Sequence, residues 1–249
     1  MTLLIRLPSC DAAAVDAFEG EVPLRGGRST PGVVRVGDTV RRPLKPDAAH
    51  IHRLLAHLER AGFDGAPRFL GLDAQGRAIL SHIDGVAPPH NGFRLSVAAV
   101  RAGARLLRRV HDLTAGSEFA AGAEVACHPA LSQDNFIFRA RGPDMLPVAI
   151  IDWDGTRPGT RVANFGAFLW AFVHPGMYGE GEAAARMLRA AADAYGWSGS
   201  GEELVTAMLV EVRDFQVIVE GDQGAIDWAA AELAYLERNA DLFGTRLSA

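Results

Sequence analysis

Cysteine and lysine are nearly absent. The chain has two cysteines, Cys10 and Cys127, in 249 residues. They are too few and too far apart for a disulfide framework or a thiolate zinc site. That usage fits a reducing, cytoplasmic setting. Lys45 is the only lysine, so arginine supplies the rest of the 25 basic residues. Long apolar runs are missing as well. The longest, "FGAFLWAFV" at 165–173, is nine residues, whereas a membrane span needs about 20. The opening "MTLLIRLP" is too short for a secretory segment and carries Arg6 within it. Neither an internal repeat nor a low-complexity tail is present.

What is there is an ordinary water-soluble composition, 49% hydrophobic and 22% charged. The net charge of −5 is unevenly placed. From 174 to 249 there are 13 acidic residues against 5 arginines. That balance argues against nucleic acid as the main ligand. It suits a small cationic molecule or a basic peptide. Solvated helix faces are the plainer reading of most of these charges.

The first third reads as strands, turns and one helix. "GVVRVG" (32–37) and "TVRR" (39–42) flank Gly37-Asp38, a hairpin signal. The glycine-rich "LRGGRSTPG" (24–32) precedes them. After Pro46, Ile51, Leu54, Leu55 and Leu58 recur at helical spacing, with Asp47 as N-cap and Gly62 as stop. "PRFLGLD" (67–73) and "RAILSHI" (77–83) predict a second hairpin. Glycine and proline crowd 84–92, which marks a hinge. Beyond it the pattern is mostly helical: 95–113, then segments near 162–173, 180–195, 201–220 and 225–240. The expected fold is therefore α+β and bilobal. It has a small β-rich lobe with one helix (1–83), a hinge (84–92) and a larger helical lobe (93–249).

Two short stretches carry chemistry. "CHPALSQDN" (127–135) precedes an apolar strand, and "IIDWDG" (150–155) ends another. Phosphoryl transfer is mainly positioning and charge neutralisation. It needs metal ligands, a cation on the phosphates, and a carboxylate that orients the acceptor hydroxyl. Kinases place that carboxylate and one metal ligand on H-x-D-x-x-x-x-N, and a second acid after a later strand. His128, Ala130, Asn135 and Asp152 stand at that spacing.

With these motifs the chain resembles the aminoglycoside phosphotransferase and choline kinase-like group, which has the protein kinase-like fold. The group's loop typically reads H-G-D-L-x-P-x-N and its later strand ends I-D-W-E or I-D-W-D. The resemblance implies ATP and Mg²⁺ as cofactors. It implies Asn135 and Asp152 as metal ligands and His128 as a brace for the loop. Gly26 and Gly27 would lie over the phosphates. Ser81 and Ile83, in the stretch running to Gly85, would lie beside the adenine.

Several positions depart from that pattern. Ala130 stands where the base belongs, and a methyl group neither accepts a proton nor orients a hydroxyl. A general base is worth about 10²–10⁴ in rate. Pro129 and Gln133 replace the usual glycine and proline, and Asp134 is expected to point away from the acceptor. The phosphate-binding lysine becomes Arg41, with Arg42 the second choice and Lys45 out of register beyond Pro43. Arginine's planar fork does not simply replace an ammonium. The following helix offers His50, Ile51 and His52 in place of a partner glutamate. Asn164 replaces an aspartate that supports the loop.

Three readings follow. One is a pseudokinase-type binding or regulatory module. Another is a slow or atypical phosphotransferase acting on a small hydroxylated or cationic metabolite or a peptide. The third is a repurposed cleft with ATP-independent chemistry, using His82, His90, Cys127 or His128.

Overall fold

The computed structural model describes residues 20–24, 31–89, 93–219 and 221–248. Gly26, Gly27, Cys10 and His90 lie outside the described residues.

The first part is a five-stranded antiparallel sheet. Its strands are β1 (Val22–Pro23), β2 (Val34–Val36), β3 (Thr39–Arg42), β4 (Phe69–Leu72) and β5 (Ala78–Ser81), in spatial order β1-β2-β3-β5-β4. Gly37, at φ +57°, makes the tight β2–β3 turn, a backbone state that glycine adopts without a Cβ penalty. Helix α1 (Ala48–Arg60) buries Ile51, Leu54, Leu55 and Leu58, the four positions its sequence spacing marks. Asp47 stands at its N-cap position but makes no side-chain cap bond. Its carboxylate instead accepts a hydrogen bond from the Gly155 amide at 2.7 Å. The expected cap is thus a tie between the helix start and the "DWDG" turn.

The second part is built around α2 (Val97–Thr114), capped by Ser96 accepting from the Ala99 amide. Two small ladders follow: β6 (Val125–Cys127) with β9 (Arg157–Gly159), and β7 (Phe136–Arg141) with β8 (Asp144–Ile150). Then come α3 (Arg161–Phe168), a π-helical turn Leu169–Val173, a 3-10 turn Pro175–Tyr178, α4 (Gly181–Tyr195), α5 (Gly201–Ile218), α6 (Gln223–Arg238) and α7 (Ala240–Ser248). Helix α7 is one more than the periodicity predicts. Its nine residues follow a break at Asn239, and it buries Phe243, Gly244 and Leu247. So short a helix gains its stability from packing rather than propensity. Among the described residues after 83, Val86 pairs with Phe138 in both directions at 2.9 and 2.8 Å, and the Asp84 carbonyl accepts from Arg139 Nε at 2.6 Å.

The core of the helical part is aromatic. Phe136 and Phe168 pack on Phe172 with centroids 4.4 and 4.6 Å away. Gly103 on α2 is required there, since a Cβ would lie 2.6 Å from the Phe172 ring. No described helix is long and apolar enough to cross a membrane.

Candidate functional site

The two ladders bring the sequence motifs together. Loop 128–135 leaves β6 and enters β7, while the turn 151–156 leaves β8 and enters β9. The Ile151 amide donates to the Asn135 carbonyl at 2.8 Å. Asp152 itself has φ +62°, an uncommon state for a residue with a side chain.

His128 is 1% exposed. Its Nε2 lies 3.0 Å from the Ile151 carbonyl, and its Nδ1 lies 3.3 Å from the Ala130 amide. One nitrogen faces an acceptor and the other a donor, so the ring is a neutral tautomer donating through Nε2. Burial pushes its pKa down to about 4. Its geometry is that of a brace between the two loops. Asn164, 5% exposed, holds the same residue from the other side. Its Nδ2 donates to the His128 carbonyl at 2.8 Å, and its Oδ1 accepts from the His128 amide at 3.2 Å. The Oδ1 also lies 3.0 Å from Nε2 of His111. The amide therefore does what a carboxylate cannot: it donates to a buried carbonyl while accepting two bonds.

The loop's tip differs from a phosphotransfer loop. Ala130 is exposed and offers only its backbone. The Asn135 amide donates to the Ala130 carbonyl at 3.0 Å. Gln133 is buried and spans two elements, donating to the Phe172 carbonyl at 2.9 Å and accepting from the Phe93 amide at 2.8 Å. Ser132 donates to Asp134 at 2.5 Å.

The cation assignment needs correction. Arg41 does not face the acidic turn. It donates to Thr39 Oγ1 at 2.6 Å and lies 3.8 Å from Asp73. Arg42 is the residue that reaches Asp152 Oδ1, at 2.5 Å, and Asp154 Oδ2, at 2.7 Å. Successive strand residues point to opposite faces, so a one-residue shift in register decides the matter. Lys45 also joins the cluster, 3.1 Å from Asp154 Oδ2, because the chain turns back after Pro43. Two cations and two carboxylates thus neutralise each other at the junction.

These residues do not fit Mg²⁺ as they stand. One Asp152 oxygen is taken by a guanidinium, and two positive groups sit beside the carboxylates, although the Asn135 side-chain nitrogen, turned to the Ala130 carbonyl, leaves its oxygen as a ligand atom. Among the described residues no three His, Cys, Asp or Glu side chains gather as a metal cage. The cavity at this junction, lined by Arg42, Lys45, His52, Leu80, Asp152 and Asp154, holds about 30 Å³. That is room for about one water. His52 stacks on Phe69 at 3.7 Å, and its pKa is lowered by burial, partly offset by Asp154.

Ser81 is engaged with Arg68 through both its amide and its hydroxyl, at 2.9 Å each. The Ile83 amide and carbonyl make no hydrogen bond among the described residues. Cys127 is buried, and desolvation raises its pKa to about 11. A buried thiol held protonated is a poor nucleophile, which removes it from the repurposed-cleft reading. His128, neutral and walled in, is removed as an acid or base for the same reason of access.

A second cluster had no motif. Two residues after Phe172, which Gln133 holds, His174 adopts φ +57°. Its Nε2 is 3.5 Å from Glu232 Oε2. Its ring meets Trp228 edge-on at 5.5 Å, and Trp228, Trp170 and Phe215 pack on one another with centroids 5.6–6.0 Å apart. The polar atoms Trp170 Nε1, Glu232 Oε2 and Tyr235 Oη are buried without a hydrogen-bond partner. The acidic excess after 174 was the only sequence signal for it.

No family model matches the chain. Its structural neighbours are kinases of the expected kind. A GDP complex of an aminoglycoside 2′-phosphotransferase superposes with a TM-score of 0.58 at 13% identity, covering 93% of this chain and 95% of that one. An ethanolamine kinase of Plasmodium vivax gives 0.56 at 10%, covering 86% and 80%. A choline/ethanolamine kinase family protein of Mesorhizobium loti gives 0.52 at 14%, covering 87% of each. The chain therefore has the protein kinase-like fold of the aminoglycoside phosphotransferases and choline/ethanolamine kinases. In sequence it is similar to the trifolitoxin immunity protein of Rhizobium leguminosarum bv. trifolii, 34% identical over 149 residues. That match covers 53% of this chain and 54% of the relative, so the chain spans about half the length of the curated relative it matches.

Proposed function

We propose that this is a kinase-fold binding protein of phosphotransferase ancestry, which recognises a cationic molecule or basic peptide and does not run base-assisted phosphoryl transfer. The observation that carries the reading is Arg42 bridging Asp152 and Asp154, at 2.5 and 2.7 Å, beside a loop with Ala130 at the base position. A guanidinium on the carboxylate opposes a divalent cation there by charge and by occupancy. The ligand class rests on the buried Glu232 carboxylate beside His174 and on the run of ring contacts His174–Trp228–Trp170, since aromatic faces and a buried carboxylate both attract a desolvated ammonium. A relative named for toxin immunity is in keeping with a protein that acts by recognition.

A working ATP-dependent phosphotransferase is the second reading. It is favoured by the Ile83 amide and carbonyl, which make no hydrogen bond among the described residues and are available to a purine edge. It requires the Arg42 guanidinium to leave Asp152.

Calorimetric titration with Mg·ATP and Mg·GTP, paired with an acceptor-dependent ADP-release assay, separates the two. Little or no heat and no turnover supports the first reading. Turnover at the ordinary kinase scale of about 1–100 s⁻¹ sinks it.

A further inference from the structure

Away from the Asp152 junction, the helical part carries a groove that none of the preceding readings uses. Its floor is one stripe of α4: Glu182, Ala185, Arg186, Arg189, Ala190 and Asp193. These positions recur at helical spacing and so share one face. Ala185 and Ala190 are 1% and 5% exposed, and their short side chains recess the helix. Val97 and Arg101 of α2 form one wall, and Arg246 of α7 the other. The groove encloses about 460 Å³ and is open along its length. From 182 to 193 it runs about 16 Å at the helical rise.

Four arginines meet two carboxylates there, on a chain whose net charge is −5. Two arginines are held in place by those carboxylates. Arg189 lies 2.7 Å from Asp193, and Arg246 lies 3.0 Å from Glu182. Arg101 and Arg186 are exposed and have no ion-pair partner among the described residues. The groove is therefore locally basic with two free guanidinium forks, groups suited to paired contacts with carboxylates.

We infer that this α2–α4–α7 groove docks an acidic peptide segment of a partner protein. Its length matches about five extended residues. Its openness favours a peptide over a compact phosphate compound, since small-molecule sites bury about 70–90% of their ligand. Glu182 and Asp193, one at each end, would repel a dense polyphosphate, whereas a peptide can set neutral residues against them. The exposed Val97 and the alanine floor give its methylenes an apolar contact.

The test is fluorescence anisotropy with the full chain and a fluorescein-labelled hexaglutamate peptide, with hexaglutamine and inorganic triphosphate as comparisons. Hexaglutamate should bind, and the double variant Arg101→Gln/Arg186→Gln should weaken it about tenfold. Both residues are exposed and unpaired, so the variant should keep the parent melting temperature. Arg213→Gln, at an arginine paired with Glu237 on another face, should leave binding unchanged. No hexaglutamate binding overturns the proposal. So does equal binding of hexaglutamine, binding indifferent to the double variant, or uptake of triphosphate at the groove without the peptide.

Discussion

Arg42 and Asp152 lie 110 residues apart in sequence and meet at 2.5 Å. The contact joins β3 to the turn after β8 and, with Asp154 and Lys45, forms a closed ion cluster. Arg42 is 15% exposed and Asp152 33%, so the pair is partly screened. A double-mutant cycle with Arg42→Met and Asp152→Asn should return a coupling of about 1–2 kcal/mol in urea unfolding. Additivity within about 0.3 kcal/mol would mean that the pair contributes nothing.

A carboxylate at position 130 should not by itself produce phosphoryl transfer. Ala130→Asp puts a carboxylate at the loop tip, but Arg42 still neutralises Asp152. Phosphate transfer measured by ADP release should rise less than about tenfold, although a base is worth about 10²–10⁴ where the rest of a site is intact. Ala130→Asp combined with Arg42→Lys is the informative companion, because it also replaces the planar fork with a compact ammonium.

Asn164→Asp looks like a return to the family pattern and should nonetheless destabilise. The aspartate loses the bond to the His128 carbonyl and sets a buried oxygen against it. An unsatisfied, repelled buried acceptor costs about 1–3 kcal/mol, and more if charged. The loss should be read from the urea midpoint at pH 7. Unchanged stability would mean that the loop's hydrogen bonds are not held as described.

Stability should fall as pH drops from neutral toward 4. His111 and His128 are each held near pKa 4 by burial, against about 6.5 in the unfolded chain. The unfolded state therefore binds more protons in that window, and protonation favours unfolding. Each contribution is fully present above pH 6.5 and is lost as pH falls through the window, up to about 3 kcal/mol per histidine. Urea midpoints at pH 7 and pH 5 should show the slope, and His111→Gln should flatten part of it.

If the Trp170–Trp228–Glu232 cluster takes a cation, Glu232→Gln should weaken it about tenfold while the indole fluorescence of the free protein stays nearly constant. Tetramethylammonium and a lysine-rich peptide are suitable probes, read by tryptophan quenching. Equal quenching by the variant would remove Glu232 from the site.

Much of the fold was legible because local patterns and global packing agree. The spacing of Ile51, Leu54, Leu55 and Leu58 decided α1, and Gly37 its neighbouring hairpin, through forces acting within a few residues. The loop His128–Asn135 and the turn at Asp152 were legible as a pair, since the fold constrains both their residue types and their separation. The departure at Ala130 could be read from a single letter, because no packing can supply an oxygen to a methyl group.

Other features belong to the tertiary structure alone. Which arginine of "TVRR" faces the acids depends on strand register, and register is set by pairing with β5, not by the residues of β3. Lys45 seemed out of reach because proline interrupts the strand, yet the chain's return brings it within 3.1 Å of Asp154. Asp47 reads as a helix cap and serves as a bond to Gly155. His174 and Glu232 have no motif, being 58 positions apart, and only the packing of α6 on the turn after α3 makes them neighbours. Sequence determines what each side chain can do. Which of its possible partners it meets is decided by long-range packing, and here that choice gathers Arg42, Lys45, Asp152 and Asp154 into one charge cluster.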